Sequence, residues 1–88
     1  MDRAQFEQKL QAEGFPEIEV REQEPNCSRA EHAHHFDVSA LVLEGEITLG
    51  VAGQRRTYRP GDQFTMAAGC MHSEDVGPAG VRYVVGRR

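Results

Sequence analysis

The stretch EHAHHFDVSALVLEGEITLG, residues 31–50, carries the strongest structural signal in the chain. Its first part holds three of the four histidines. The run 38–43 that follows is rich in β-branched and aliphatic residues, which favour strands. Residues 44–46, Glu-Gly-Glu, predict a tight turn, after which the run 47–51 resumes the strand pattern. The stretch therefore predicts clustered histidines beside a β-hairpin.

Outward from this stretch, the chain predicts further short strands separated by turns. Apolar and polar residues alternate from Ile18 to Arg21, as in a half-buried strand. Turns containing glycine or proline follow at close, even intervals, so that roughly seven or eight strands are expected. A loop at residues 77–80 is expected to precede the last strand. This pattern predicts an all-β sandwich or barrel.

The first residues predict a short helix instead. Asp2 can cap its N-terminus and Gly14 can end it, and two apolar residues four positions apart share one face. The chain is therefore divided into an N-terminal helical segment, residues 1–15, and a β-barrel domain, residues 16–88. A chain of 88 residues has room for one domain with a thin core, which a metal ion or a second subunit commonly supplements.

Charge and composition exclude several classes of protein. The net charge is −4, and the basic pairs Arg55-Arg56 and Arg87-Arg88 are interpreted as solvated side chains, so no nucleic-acid partner is expected. No apolar run is long enough to span a membrane, and no signal segment is recognisable. Cys27 and Cys70 lack a metal-binding or disulfide-framework spacing. Free thiols and a cytoplasmic location are therefore expected.

The histidines predict a metal site. His32 and His34 are two positions apart, so on a strand their side chains would point to one face, roughly 6.5 Å apart along the chain. His72 is the remaining histidine that can supply a third ligand from another strand. Imidazole binds zinc, iron, nickel, cobalt and copper, so the ligand type does not identify the ion.

These residues resemble the two sequence motifs of the cupin superfamily, and the chain is similar to a small single-domain cupin. In the first motif, G-x5-H-x-H-x3/4-E-x6-G, the two histidines match His32 and His34, and the last glycine matches Gly45. The second motif, G-x5-P-x-G-x2-H-x3-N, matches at three positions: Gly61, Gly69 and His72. The resemblance implies a jelly-roll barrel, also called a double-stranded β-helix, with the metal inside it.

The chain also departs from the motifs, and the ligand set therefore stays open. The carboxylate position of the first motif falls on Val38 or Ser39, and Asp37 stands one place early. Either the three histidines bind the ion with water completing its coordination, or Asp37 joins them through a β-bulge. Glu74 shares a strand face with His72 and is either a further ligand or supporting residue, or an ordinary surface carboxylate. His35 is expected to point away. Three other motif positions also differ: Asn26, Ala67 and Val76.

The resemblance implies two classes of function. One is a small metal-dependent enzyme, dioxygenase-like or isomerase-like, that acts on a small molecule with Fe, Zn, Ni, Mn or Co. Glu74 and Asp37 are then the candidate acids or bases. The alternative is a non-catalytic domain that binds or senses a small molecule or sugar, with a structural metal or none. A homodimer that pairs sheet edges is expected in either case.

Overall fold

The computed structural model describes residues 1–88, and its only helix, α1, spans Arg3–Ala12. A capping box begins the helix: the Asp2 side chain accepts a hydrogen bond from the Gln5 backbone N at 2.8 Å, and the Gln5 side chain accepts one from the Asp2 backbone N at 3.0 Å. Gly14, at φ 81°, follows the last turn. The predicted helix is confirmed. It is neither long nor apolar enough to cross a membrane.

The rest of the chain is almost entirely β-structure, which confirms the predicted fold class. Six strands are present, fewer than the seven or eight expected. The difference arises because the turn predicted at residues 44–46 and the loop predicted at residues 77–80 lie inside two long strands. The strands are β1 (Glu17–Gln23), β2 (Ser28–His32), β3 (Val38–Val51), β4 (Gln54–Tyr58), β5 (Gln63–Met66) and β6 (His72–Arg87).

The long strands β3 and β6 bend where they cross from one sheet to another. The pairing register of β3 with β6 shifts on both sides of Gly45, which has φ 72°. Gly80 of β6 also has a positive φ, at 79°. A Cβ at Gly45 would overlap the carbonyl oxygen of Gly80. Glycine is therefore required at Gly45 both by its backbone conformation and by the close approach of the two strands.

Each half of the two long strands belongs to a different antiparallel sheet. The first half of β3 pairs with β5 and with the end of β6, which in turn pairs with β1. The second half of β3 pairs with β4 and with the start of β6, which pairs with β2. The result is a jelly-roll-like barrel in which the long strands join both parts into one six-stranded sheet, with the strand order β1-β6-β3-β5 in one part and β2-β6-β3-β4 in the other.

Two apolar clusters lie on opposite faces of the β1-β6-β3 sheet. One fills the barrel, and the other lies between the sheet and α1. Period-2 alternation along β3 and β6 places successive residues in different clusters. The barrel cluster contains Val38, Ala40, Val42, Ile47, Leu49, Phe64, Val76, Val81, Tyr83 and Val85, and the helix cluster contains Phe6, Leu10, Phe15, Leu41 and Val84.

Strand β1 has its polar face toward the barrel interior. Its apolar residues Ile18 and Val20 pack against the helix cluster. Arg21 and Gln23 are register partners of Tyr83 and Val81, which belong to the barrel cluster. Directly opposed residues on paired strands share a face, so these two polar side chains point inward. The barrel interior is therefore polar along one wall.

Candidate metal centre

Three of the four histidines converge in space. His32 ends β2, His72 begins β6, and His34 lies in the segment that joins β2 to β3. Their ring centroids are 4.4 to 5.2 Å apart. One potential ligand atom from each ring and a carboxylate oxygen of Glu74 all lie within 4.8 Å of one another. We call these four side chains the His–Glu cluster.

Strand pairing brings the three histidines together. His32 and His72 are register partners across β2 and β6, so their side chains share a face. The expectation that His34 continues the strand of His32 is wrong, since the strand ends at His32. The connecting segment is instead held by a hydrogen bond from the Gly69 backbone N to the His34 carbonyl, 2.9 Å long. The His34 ring reaches the cluster from this segment and stacks on Phe36, with centroids 4.9 Å apart.

The backbone fixes the proton positions of two of the imidazoles. His32 Nδ1 lies 2.9 Å from the carbonyl oxygen of Ala30, and His72 Nδ1 lies 3.1 Å from that of Cys70. A carbonyl oxygen only accepts hydrogen bonds, so each Nδ1 must carry a proton and donate it. In the neutral rings, Nε2 then presents a lone pair toward the cluster. A hydrogen bond of this kind is the usual support for a metal-binding histidine.

Glu74 completes the cluster from the same strand as His72. It stands two positions further along β6, so its side chain points to the same face. Its Oε2 lies 2.9 Å from Nε2 of His32 and 3.4 Å from Nε2 of His72. The residue is only 7% exposed. The interpretation of Glu74 as an ordinary surface carboxylate is therefore wrong.

The cluster fits a transition-metal ion. Nε2 of His32 and Nε2 of His72 are buried and make no hydrogen bond, because the lone pair of each faces a Glu74 oxygen that is itself an acceptor. Bonds of about 2.1 Å would hold the donors about 3.0 Å apart around an octahedral ion and about 3.4 Å apart around a tetrahedral one. The two separations from Glu74 Oε2, 2.9 and 3.4 Å, are close to these values. A cation would satisfy both of these Nε2 atoms, which are two of the four buried side-chain polar atoms without a hydrogen-bond partner.

Gln23 of β1 supports the carboxylate from the other side. Its Nε2 donates a hydrogen bond to Glu74 Oε1 at 3.3 Å and another to the hydroxyl of Tyr83 at 3.0 Å. Glu74 Oε2 is thereby directed at the histidines. Sequence reasoning missed Gln23. Its position on the polar face of β1 could have identified it. That face points into the barrel only if the apolar face of β1 packs against α1.

Asp75 holds the outer strand that carries His32. Its carboxylate accepts hydrogen bonds from Ser28 Oγ of β2 at 2.7 Å and from Arg55 Nη2 of β4 at 2.8 Å. The Ser28 hydroxyl, and after it the Arg55 guanidinium, lower the pKa of Asp75. The carboxylate is therefore charged at neutral pH and ties β2 and β4 to β6.

The cluster disfavours protonation of His34. Burial contributes most to a lowered pKa of His34, followed by the neighbouring His72 and His32, while Glu74 acts in the opposite direction. A neutral imidazole is the form that binds a metal ion. The local electrostatics therefore keep His34 ready to act as a ligand.

Two residues considered from sequence lie outside the cluster. The Asp37 carboxylate accepts a hydrogen bond from the Ala68 backbone N at 2.8 Å and lies 3.5 Å from Nε of Arg88. It therefore faces the chain terminus, contrary to the arrangement in which a bulge turns it toward the histidines. His35 is exposed and is not part of the group. Both cysteines are free, as expected.

A cavity of about 290 Å³ adjoins the cluster, with His34 and Glu74 on its wall. Three arginines also line it: Arg21, Arg29 and Arg87. The interpretation of Arg87 as a solvated terminal side chain is wrong, since only 22% of that side chain is exposed. No sequence motif marks these arginines, and each becomes visible only through the register of its strand.

The protein-family comparison covers most of the barrel. The family described as "Cupin domain" matches residues 19–76, about two thirds of the chain. No curated protein sequence matches significantly. The match begins in β1 and ends within β6, so it includes all four members of the His–Glu cluster.

Solved structures show the same fold. A protein of unknown function from Rhizobium leguminosarum bv. viciae 3841 is 21% identical with a TM-score of 0.74, over 80% of this chain and 66% of the other. A cupin superfamily protein from Desulfitobacterium hafniense DCB-2 is 20% identical with a TM-score of 0.66, over 77% and 62%. KdgF from a Halomonas species is 22% identical with a TM-score of 0.64, over 83% and 71%. The chain spans slightly less than two thirds of the first two structures. By its sequence match, its fold and its two motifs, the chain belongs to the cupin family.

Proposed function

We propose that the protein binds one divalent transition-metal ion through His32, His34, His72 and Glu74. The observation that carries the proposal is the pair of buried Nε2 atoms, on His32 and His72, that have no hydrogen-bond partner and lie around one carboxylate oxygen. Unpartnered buried polar atoms are costly, and a cation between them removes that cost. Three imidazoles and one carboxylate suit iron, manganese, nickel, cobalt or zinc.

The proposed function is that of a small metal-dependent enzyme, dioxygenase-like or isomerase-like, acting on a small molecule in the barrel. The cavity supports this proposal because it reaches the cluster at His34 and Glu74. Four protein ligands leave two positions on a six-coordinate ion, which substrate, water or oxygen can take. The ion would act as a Lewis acid or activate oxygen. The protein's own groups would orient the substrate beside it, and Glu74 would hold the ion as a ligand.

A non-catalytic binding domain is the second candidate. One observation favours it: four protein ligands complete the coordination of a tetrahedral zinc ion, as in structural zinc sites. The separation of 3.4 Å between His72 Nε2 and Glu74 Oε2 matches the spacing of about 3.4 Å expected for such a site, whereas the 2.9 Å between His32 Nε2 and Glu74 Oε2 is closer to the octahedral spacing. In that case, the ion would stabilise a small core and the cavity would bind its ligand without turnover.

Metal analysis of protein purified without a histidine tag tests the binding claim. We expect about one transition metal per chain in the wild type, a His72→Ala variant without it, and a matched His35→Ala variant that retains it. His35 is a suitable control because it is exposed and outside the cluster. Loss of metal in both variants, or in neither, would contradict the proposal.

Azide titration of the cobalt-loaded protein separates the two candidate functions. An open coordination position would let azide bind, and the visible spectrum would change and then saturate. A spectrum that does not respond to azide would mean that the protein ligands occupy every position. That result would reject the enzyme and favour the structural metal.

We also propose that the chain forms a homodimer. Strands β4 and β5 each pair only with β3, so both sheets have free edges. Val51, at the end of β3, and Met71 are large apolar residues that are exposed. Val51 pairs with Gln54 of β4, so association along the β4 edge would reduce the exposure of Val51. Size-exclusion chromatography with light scattering should give twice the chain mass of 9.8 kDa, and a monomer at micromolar concentration would contradict the proposal.

A further inference from the structure

The cavity beside the His–Glu cluster has the size of a site for a small molecule. Its volume of about 290 Å³ is at the lower end of the range for ligand pockets. His34 and Glu74 form part of its wall, so a molecule inside it would contact the cluster. The chemistry of the other wall residues therefore indicates which molecule the site accepts.

Three arginines from three different strands line this cavity. Arg21 of β1 is the register partner of Tyr83, and Arg29 of β2 is the register partner of Glu74. Arg87 of β6 is the register partner of Val38. Tyr83, Glu74 and Val38 all face the interior, and directly opposed residues share a face. The strand pairing therefore places all three arginines along the cavity, where Arg21 and Arg29 are exposed to solvent and Arg87 is half-buried.

The protein neutralises these charges only in part. Glu19 is shared by two arginines: its Oε1 lies 2.7 Å from Arg87 and 3.6 Å from Arg21. Arg29 forms no ion pair. Glu74, the acidic residue on the cavity wall, is engaged with the histidines. Since guanidinium groups stay charged at every physiological pH, the cavity has an excess of positive charge before any metal ion is added.

Much of the remaining lining of the cavity is apolar. Phe64, Val38 and Val85 belong to the barrel core and line the cavity with Phe36 and Met66. These side chains offer no hydrogen bonds and favour contact with a hydrocarbon group. The cavity therefore combines apolar and cationic side chains, and Arg87 lies directly over the ring of Phe36.

The geometry points to a small organic acid as the ligand of this cavity, with its carboxylate on Arg21, Arg29 and Arg87 and its hydrocarbon part against the phenylalanines. Guanidinium groups match a carboxylate in a planar, two-point geometry that a single ammonium group lacks. This inference deepens the proposed function. It rests on that function in one respect only, namely that the bound acid would lie beside a metal ion. The arginine site belongs to the chain with or without the ion.

Amide chemical-shift titrations of the ¹⁵N-labelled protein with hexanoate test the inference. We expect saturable shifts around the cavity in both zinc-loaded and metal-free protein, and at least tenfold weaker binding in Arg29→Gln and Arg21→Gln. Arg3→Gln is the matched control because Arg3 lies on α1 and pairs only with Glu7. Neutral hexanamide should bind at least tenfold more weakly than hexanoate. Arg87 is left unchanged because it also packs over the ring of Phe36.

Several outcomes would overturn the inference. Equal affinities of hexanoate and hexanamide, or unchanged hexanoate affinity in both cavity variants, would show that the arginines do not select a carboxylate. Tighter binding of inorganic phosphate than of hexanoate at the same residues would assign the site to phosphorylated ligands instead. Metal analysis of the same samples separates the two proposals. Hexanoate binding without metal binding would reject only the proposed function, and metal binding without hexanoate binding would reject only this inference.

Discussion

Replacing Glu74 by glutamine tests the role of its carboxylate in metal binding with almost no change in shape. The substitution removes the negative charge that lies 2.9 Å from His32 Nε2 and 3.4 Å from His72 Nε2. The hydrogen bond from Gln23 to Oε1 can be kept, because the amide oxygen of glutamine is also an acceptor. Any loss of metal affinity would therefore result from the missing negative charge and the missing carboxylate ligand, and not from a collapse of the site.

The expected size of the effect follows from linkage. Loss of a residue that supports a metal ligand weakens metal affinity by about 10–100-fold, so loss of a charged ligand should reach at least the upper value. At a free metal concentration of about 100 times Kd, binding stabilises the wild type by about 2.7 kcal/mol. A 100-fold weaker variant would gain only about 0.4 kcal/mol at the same concentration. For a domain of this size, the difference is about 9–18 °C in Tm.

Thermal unfolding with and without zinc measures this difference. In the absence of metal, we expect Glu74→Gln to be at least as stable as the wild type, because the substitution removes a buried charge. With zinc, the wild type should gain far more in Tm than the variant. Glu22→Gln is the matched control, since the Glu22 side chain is 73% exposed and pairs only with Arg82. An equal zinc-induced shift in wild type and Glu74→Gln would refute the assignment of Glu74 as a ligand.

Three further predictions follow from the fold and the electrostatics. The pKa of His34 is lowered from 6.5 in the folded protein, so the unfolded chain binds a proton at a higher pH than the folded chain does. The free energy of unfolding of the metal-free protein, measured with urea, should therefore decrease as the pH falls from about 7.5 to 5.5. The decrease should be smaller in His34→Asn. Leu10→Ala should destabilise the whole domain by about 2–5 kcal/mol in urea unfolding, because Leu10 is fully buried against the sheet; a change confined to α1 would show that the helix is independent. Gly45→Ala should prevent folding, judged by circular dichroism and solubility, because its methyl group would overlap Gly80, whereas Gly53→Ala, with a similar φ of 78° and free space, should cost only about 1–2 kcal/mol.

The sequence predicts the histidine cluster well because motif spacing and strand pairing act together. His32 and His72 belong to the two motifs, and antiparallel pairing makes them partners. The spacing could not reveal that β2 ends at His32, or that His34 reaches the site from a connecting segment. Parity along the strand indicated that Glu74 faces the same way as His72. The burial of Glu74 depends on how the neighbouring strands pack around it, and its position along β6 does not reveal that packing.

The polar wall of the cavity could not be predicted, because alternation along a strand separates its two faces without showing which face points into the barrel. Alternation along β1 shows that Ile18 and Val20 share one face and that Arg21 shares the other. It does not show that the apolar face covers α1 while the polar face lines the barrel. The same ambiguity applies to β3, where Val42 faces the barrel and the adjacent Leu41 packs against the helix. A one-residue choice of face decides whether an arginine lies on the outer surface or lines the cavity.

The long strands show a second limit of local patterns. The sequence Glu-Gly-Glu at residues 44–46 has the composition of a turn. In the barrel, pairing with β6 continues on both sides of Gly45, so the same glycine bends a strand rather than ending it. Tertiary pairing therefore overrides the local preference for a turn.

Anomalous diffraction from crystals grown with zinc or cobalt, collected on both sides of the metal's absorption edge, tests the central claim most directly. The account predicts one strong peak per chain, about 2.0–2.2 Å from Nε2 of His32 and His72, from a ring nitrogen of His34 and from a carboxylate oxygen of Glu74. A peak at His35, a peak more than about 3 Å from the Glu74 carboxylate, or no peak among the three histidines would contradict it.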